Sequence, residues 1–279
     1  MKEKSSICDP ILLGSAARRS VRYLNEIGKR RVGPSADAVR ALRGFDVEMP
    51  SGPVHPETVL DTLDRLGSPA TVASLAGRYF GFVMGGSLPV TVAANWLATA
   101  WDQVTVAANW LATAWDQNAV MEVTSPVAAA LEDVASRWLL EILGLPRESA
   151  VGFVGCDTVA TFAGLAAARR ALLLREGWDV DAQGLFGAPP ITVVVSEETH
   201  VAVHKALGLL GLGRERVIRV QVDGQGRMRA DKLPPFERCT IVCVQAGNVN
   251  TGSVDPAGEI CARAHAAGAW GHVDGAFGI

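Results

Sequence analysis

The sequence predicts an α/β protein built on a doubly wound, mainly parallel sheet and preceded by a helical amino-terminal segment. Three observations carry this. From residue 151 onward, short apolar runs of strand length alternate with stretches of helical periodicity, the pattern of a parallel sheet with crossover helices. The connections between these runs are short throughout. Before residue 150 the periodic stretches read as helices. Residues 1–85 are assigned to the helical segment and 86–279 to an incomplete large domain that carries the sheet.

Taken in order, residues 11–31 place Leu13, Ala17, Val21 and Leu24 at helical spacing, with Arg18, Arg19, Arg22, Lys29, Arg30 and Arg31 between and after them. A basic amphipathic helix could meet a membrane or an acidic partner, but the commoner role of such a stripe is the packed face of a surface helix. Gly33-Pro34-Ser35 ends it. A second helix is predicted near His55–Leu66, stopped by Gly67-Ser68-Pro69. The 14 residues from Val90 to Gln103 then recur without a change as Val104 to Gln117. Repeat architectures use longer, diverged units, so this is a recent tandem duplication or an error in the record. A further copy would lengthen one helix by about 21 Å. A fold with room for one copy must bulge, extend or misplace the other, and deleting one copy is expected to raise stability. Thr124-Ser125-Pro126 starts a helix through a hydroxyl cap and proline at its first position; it runs to about Leu143 and ends at Gly144-Leu145-Pro146. The predicted strands are Val151–Val154, Ile191–Ser196, Val217–Val222, Thr240–Val244 and Ala269–Val273. Helices are predicted over Thr158–Leu174, His200–Leu210 and Pro256–Ala267, with Phe162, Leu165, Leu172 and Leu173 facing inward from the first of them.

Composition excludes several classes. The chain of 279 residues is 49% hydrophobic and 20% charged, with a net charge of −3, which gives no reason to expect nucleic acid or a membrane surface as partner. No run approaches the roughly 20 apolar residues that span a bilayer. The amino terminus lacks the apolar core of a signal peptide. The five cysteines, Cys8, Cys156, Cys239, Cys243 and Cys261, are scattered and form no Cys-x-x-Cys pair, which argues against a disulfide frame or zinc knuckle. A cytoplasmic protein is expected.

Four strand ends are candidates for one crevice, because ligands of open α/β sheets bind beyond the carboxyl ends of the strands. Gly155-Cys156-Asp157-Thr158 turns into a helix, and free N–H groups with the helix dipole make such a turn a phosphate seat. Asp157 argues the other way, as a like charge or a mere cap. Ser196-Glu197-Glu198-Thr199-His200 follows the second strand. His200 and His204 share a helical face, but no third ligand stands at a zinc-protease spacing, so no metal is expected. Gln245 to Gly252 is a polar, glycine-punctuated loop of the kind that carries function. Asp274 ends the last strand. No Walker loop and no Gly-x-Ser-x-Gly elbow occurs.

With these motifs in this order the chain resembles the pyridoxal-phosphate-dependent decarboxylases of the glutamate and aromatic-amino-acid type, a branch of the aspartate-aminotransferase fold. The resemblance runs from about Gly77-Arg78-Tyr79-Phe80 to the end. It is strongest at His200–Ala206, Gln245–Pro256 and His272-Val273-Asp274-Gly275-Ala276. It implies pyridoxal 5′-phosphate as cofactor, an amino acid as substrate, loss of carbon dioxide through a quinonoid, and a homodimer. It also implies that Asp274 pairs with the pyridine nitrogen, that His200 stacks on the ring with Ala276 on the opposite face, that Gly155, Cys156 and Thr158 hold the phosphate, and that Asn248 lines the cofactor and substrate side. The chain departs from the family in three places. The family's cofactor lysine is expected beyond the end of this sequence, and Lys2, Lys4, Lys29, Lys205 and Lys232 do not match it. Cys156 and Asp157 replace small residues of the phosphate turn, with Thr161 where an asparagine is expected. The duplication falls inside the family's helical region. A fragment or decayed member is therefore expected. Another reaction on the same cofactor, a non-catalytic dimerising module, or an unrelated nucleotide-binding domain remain the alternatives from the sequence.

Overall fold

The computed structural model describes residues 9–79, 88–102 and 106–278, with the side chains of 99–102 left aside. The chain divides into two compact units, Met1–Ala150 and Val151–Ile279.

The first unit is helical. Helix α1, Pro10–Glu26, starts where the Asp9 carboxylate accepts the N–H groups of Ile11 and Leu12, and it tightens into a 3-10 turn over Ile27–Lys29. Its buried face is Ser15, Ala16, Ser20 and Tyr23. The expected stripe is therefore displaced by one residue, a rotation of about 100°, and Val21 is 47% exposed. Tyr23 decides the rotation: its ring enters the core and its hydroxyl lies 3.1 Å from Thr71 Oγ1. The small Ala16 and Ser20 then admit a close neighbour. Arg19 reaches Glu57 at 2.8 Å and Asp64 at 3.0 Å, and Arg22 also pairs with Asp64, so part of the basic stripe is spent inside the unit.

Helix α2, Ala36–Ala41, is capped by Ser35. Helix α3, Pro56–Thr62, runs into a π turn over Leu63–Gly67, close to the predicted second helix. The duplicated segments form two helices, α4, Pro89–Asp102, and α5, Val106–Trp115, which pack on each other. Trp96 and Trp110, the same position in each copy, stack at 5.1 Å, and Thr113 Oγ1 donates to Asn95 Oδ1 at 2.8 Å. The second copy lies in the core with Ala107, Leu111, Ala114 and Trp115 buried, whereas Leu97, the twin of Leu111, is 54% exposed. The extra residues do not lengthen one helix; they add an outer one. Helix α6, Pro126–Ile142, begins as predicted, with Ser125 Oγ accepting the Ala128 N–H.

In the second unit a four-stranded parallel sheet has the order β2-β1-β3-β4, with β1 Thr192–Ser196, β2 Val217–Val220, β3 Thr240–Gln245 and β4 Trp270–Asp274. Helices α7, Asp157–Arg175, and α9, Val201–Leu209, cover one face through Leu165, Leu172, Val203 and Leu207. Between them in the chain lies the short α8, Val180–Gln183, which the periodicity did not reveal. Helix α10, Ala257–Ala266, covers the other face through Ile260 and Ala264, so the sheet is doubly wound. Phe162 is only partly buried, while Leu165, Leu172 and Leu173 are fully inside as expected. Helices α7 and α10 both stop at a left-handed glycine. Gly177 has φ +78° and Gly268 φ +72°, and the next residue's N–H returns to the last turn (Trp178 to Leu173, Ala269 to Ala264).

The predicted strand at Val151–Val154 does not form. These residues have no regular secondary structure, Phe153 is 50% and Val154 45% exposed, and no strand among the described residues pairs with them. A short apolar run becomes a strand only when a partner satisfies its backbone.

Candidate functional site

The strand order reverses between β1 and β3: the chain leaves β1 for β2 on one side and leaves β3 for β4 on the other. That switch point is where an open α/β sheet leaves a crevice at the carboxyl ends of its strands. His200, just after β1, is the N-cap of α9; its Nδ1 accepts the Ala202 N–H at 3.4 Å. Its backbone N–H donates to Gln245 Oε1 at 3.0 Å, and Gln245 Nε2 donates to Glu198 O at 3.3 Å. The buried Gln245 thus ties the loop after β1 to the end of β3.

Asp274 ends β4 beside Gln245, and its carbonyl accepts the Ala246 N–H at 2.8 Å. Its Oδ1 accepts the Ala276 N–H at 3.2 Å. The chain after β4 passes so close to Gly247 that a Cβ there would lie 2.8 Å from Gly278 N; with φ +99° as well, only glycine suits the place. The third contributor is Asp157, first residue of α7, whose Oδ2 lies 4.0 Å from His200 Nδ1. One ligand atom from each of Asp157, His200 and Asp274 falls within 4.8 Å of the others, a set that could hold a cation or a protonated ring.

Gly155, Cys156 and Thr158 stand at the amino terminus of α7, Gly155 and Cys156 exposed and Thr158 half-buried. Cys156 is the N-cap by backbone, with no side-chain hydrogen bond to the helix. Thr161 is buried one turn on. Asn248 is 3% exposed and engaged elsewhere: Nδ2 donates to Glu198 Oε2 at 3.1 Å, and Oδ1 accepts the N–H groups of Asn250 and Thr251. It shapes its own loop.

Two members of this region were not singled out from the sequence. Gln245 is a polar residue closing a fully buried strand, which is a readable signal. His272 lies two residues before Asp274 and so on the same side of β4; its ring lies against Gly164, where a Cβ would come within 3.1 Å. Burial pushes its pKa below 6.5, against the opposing pull of Asp274 and Asp157, and its Nε2 is buried with no partner among the described residues. Across the ladder, burial and the nearby Asp274 push the Cys243 thiol up to about 12, so it stays protonated.

A family model described as "Pyridoxal-dependent decarboxylase conserved domain" matches residues 90–278. The chain is 28% identical over 166 residues to the acidic amino acid decarboxylase GADL1 of Mus musculus, a match covering 55% of this chain and 28% of that protein. It is 34% identical over 143 residues to the aspartate 1-decarboxylase of Aliivibrio fischeri, covering 45% of this chain and 26% of that one. The aromatic-L-amino-acid decarboxylase of Bacillus atrophaeus is 24% identical over 270 residues, with 92% and 50% covered. These matches span half or less of the curated relatives' own length. Among solved structures, the fold is that of the glutamate decarboxylase domain of a Vibrio parahaemolyticus diaminobutyrate-pyruvate transaminase and L-2,4-diaminobutyrate decarboxylase, at TM-score 0.53 and 19% identity over 95% of this chain and 57% of that one. Mouse CSAD gives TM-score 0.51 and 20% identity, with 97% and 56% covered. With the family model matched over more than half of its length, the chain belongs to the pyridoxal-dependent decarboxylases, whose cofactor is pyridoxal phosphate.

Proposed function

We propose that this chain is the cofactor-binding part of a cytoplasmic, homodimeric amino-acid decarboxylase, with its large domain beginning near residue 86. The observation that carries this reading is the meeting of Asp274 and His200 beyond the carboxyl ends of the strands. The family match from residue 90 supports the domain start. No described helix is long and apolar enough to cross a membrane.

The residues fit the cofactor's ring better than its phosphate. The Asp274 carboxylate could accept a hydrogen bond from a protonated pyridine nitrogen, while the Ala276 N–H fixes its Oδ1. His200, held through its backbone by Gln245, offers an imidazole face for stacking, and Ala276 is small enough to pack on a ring. Gly155, Cys156 and Thr158 bring backbone N–H groups and a hydroxyl for an anionic group, and Asn248 holds the neighbouring loop. Asp157 opposes that anion. When bound, pyridoxal phosphate supplies an electron-accepting ring for the bond that releases carbon dioxide. Asp274 would keep the ring nitrogen protonated, and desolvation, which pushes the pKa of the half-buried His272 down, disfavours a competing positive charge on the same side of the last strand.

The test is a titration of the full chain with pyridoxal phosphate, followed by quenching of tryptophan fluorescence. Asp274→Asn is expected to weaken binding at least tenfold, because a neutral amide no longer favours the protonated nitrogen. Equal affinity in the two proteins would refute the assignment. Release of carbon dioxide from acidic or aromatic amino acids by the protein from its native source would then name the substrate class.

A further inference from the structure

We infer that Asp157 makes this site discriminate against a phosphorylated ligand, so that it receives the pyridine ring more readily without its phosphate than with it. The inference rests on the ring-binding reading above.

Helix α7 has 19 residues, and its first N–H groups and dipole would ordinarily favour an anion from outside. Here the first helical residue is itself an acid, and Cys156 contributes no side-chain cap. The Asp157 carboxylate lies against the site: Oδ2 is 4.0 Å from His200 Nδ1, and the cluster with Asp274 closes within 4.8 Å. Among the described residues, His200 is the ion-pair partner of Asp157, and no lysine or arginine pairs with Asp157 or Asp274. Two carboxylates therefore face one half-buried imidazole, while burial holds His272 toward its neutral form. That balance suits a protonated ring and opposes a phosphate dianion. A unit charge and a dianion about 4 Å apart repel enough, even in a water-like dielectric, to weaken binding about 30-fold. Glycine or asparagine at position 157 would remove that repulsion and leave the helix amides free for the anion.

Pyridoxine and pyridoxine 5′-phosphate share the ring and lack the aldehyde that reacts with surface lysines, which makes them suitable probes. Each is titrated into the full chain and into the Asp157→Asn, Asp157→Gly and Asp274→Asn variants, with tryptophan fluorescence as readout and circular dichroism to confirm folding. The parent chain is expected to bind pyridoxine at least as tightly as its phosphate. Asp157→Asn is expected to tighten the phosphate ester ten- to thirtyfold relative to pyridoxine, and to lose this advantage in high salt. If pyridoxine binding falls on Asp274→Asn while the ratio of the two ligands is unmoved by either change at 157, the inference is overturned and the ring-binding reading stands. If neither probe binds any of the four proteins, both fail.

Discussion

The duplication offers a comparison that few proteins contain: one side chain, in one local sequence, in two environments. Leu111 is fully buried in α5 against Ala16, Tyr23 and the rest of the first unit's core, and Leu97, its twin in α4, is 54% exposed. Truncating Leu111 to alanine removes buried methyl groups and leaves a cavity, a loss of about 2–5 kcal/mol. Truncating Leu97 removes groups already half in water and leaves no enclosed void, a loss of about 0.5–1 kcal/mol. The difference is about 1–4.5 kcal/mol, equivalent to a shift of roughly 0.5–2 M in the urea midpoint. Tryptophan fluorescence suits the measurement because five of the seven tryptophans lie in the first unit. Leu111→Ala is expected to unfold that unit at clearly lower urea, with Leu97→Ala close to the parent. If Leu97→Ala is as costly as Leu111→Ala, or costlier, the copies have exchanged places and the argument is wrong. Two anchors favour the arrangement described. Gln117 bonds the backbone N–H and C=O of Val72, both at 2.8 Å, and the Trp115 ring lies against Gly67, where a Cβ would come within 2.9 Å. Both helices carry a cost, since the indole N–H groups of Trp96 and Trp115 are buried without a partner among the described residues.

Asp64 is 6% exposed and pairs with both Arg19 and Arg22; Asp64→Ala removes both pairs while Arg19 keeps Glu57, and is expected to destabilise the first unit by about 1–2 kcal/mol, read from the same urea transition. His272 gives a pH dependence of definite sign. Its folded pKa lies below the unfolded 6.5, so the unfolded chain binds the proton first, and stability falls as pH drops from about 6.5 toward the folded value. The slope reaches at most about 1.4 kcal/mol per pH unit. His272→Gln is expected to flatten thermal midpoints of the second unit across that range; an unchanged acid slope would show that His272 does not carry it.

Much of the site was legible because its parts are local. An acid at the end of an apolar run (Asp274), a histidine opening a helix (His200) and a glycine-punctuated loop after a buried strand can each be read within a few residues. Asn248 was legible as a loop residue but not as one whose side chain is committed to Glu198, since that partner lies 50 positions away. Asp157 was visible as a charge in an awkward place. Its approach to His200, a residue on another helix, was not.

The sequence alone determined which segments become helices and strands wherever periodicity, caps and glycines agree, as at Ser125-Pro126, in β1, β3 and β4, and at the end of α6. These signals act through the backbone of a few neighbouring residues. Tertiary structure decided the rest: that α1 turns Tyr23 inward and Val21 outward, that residues 151–154 find no partner strand, that the strands stand in the order β2-β1-β3-β4, and that the second of two identical segments takes the core. Each of these is a choice of partner. Two identical peptides carry the same local preference, so only the surfaces and chain connections around them can send one inside and the other to the solvent.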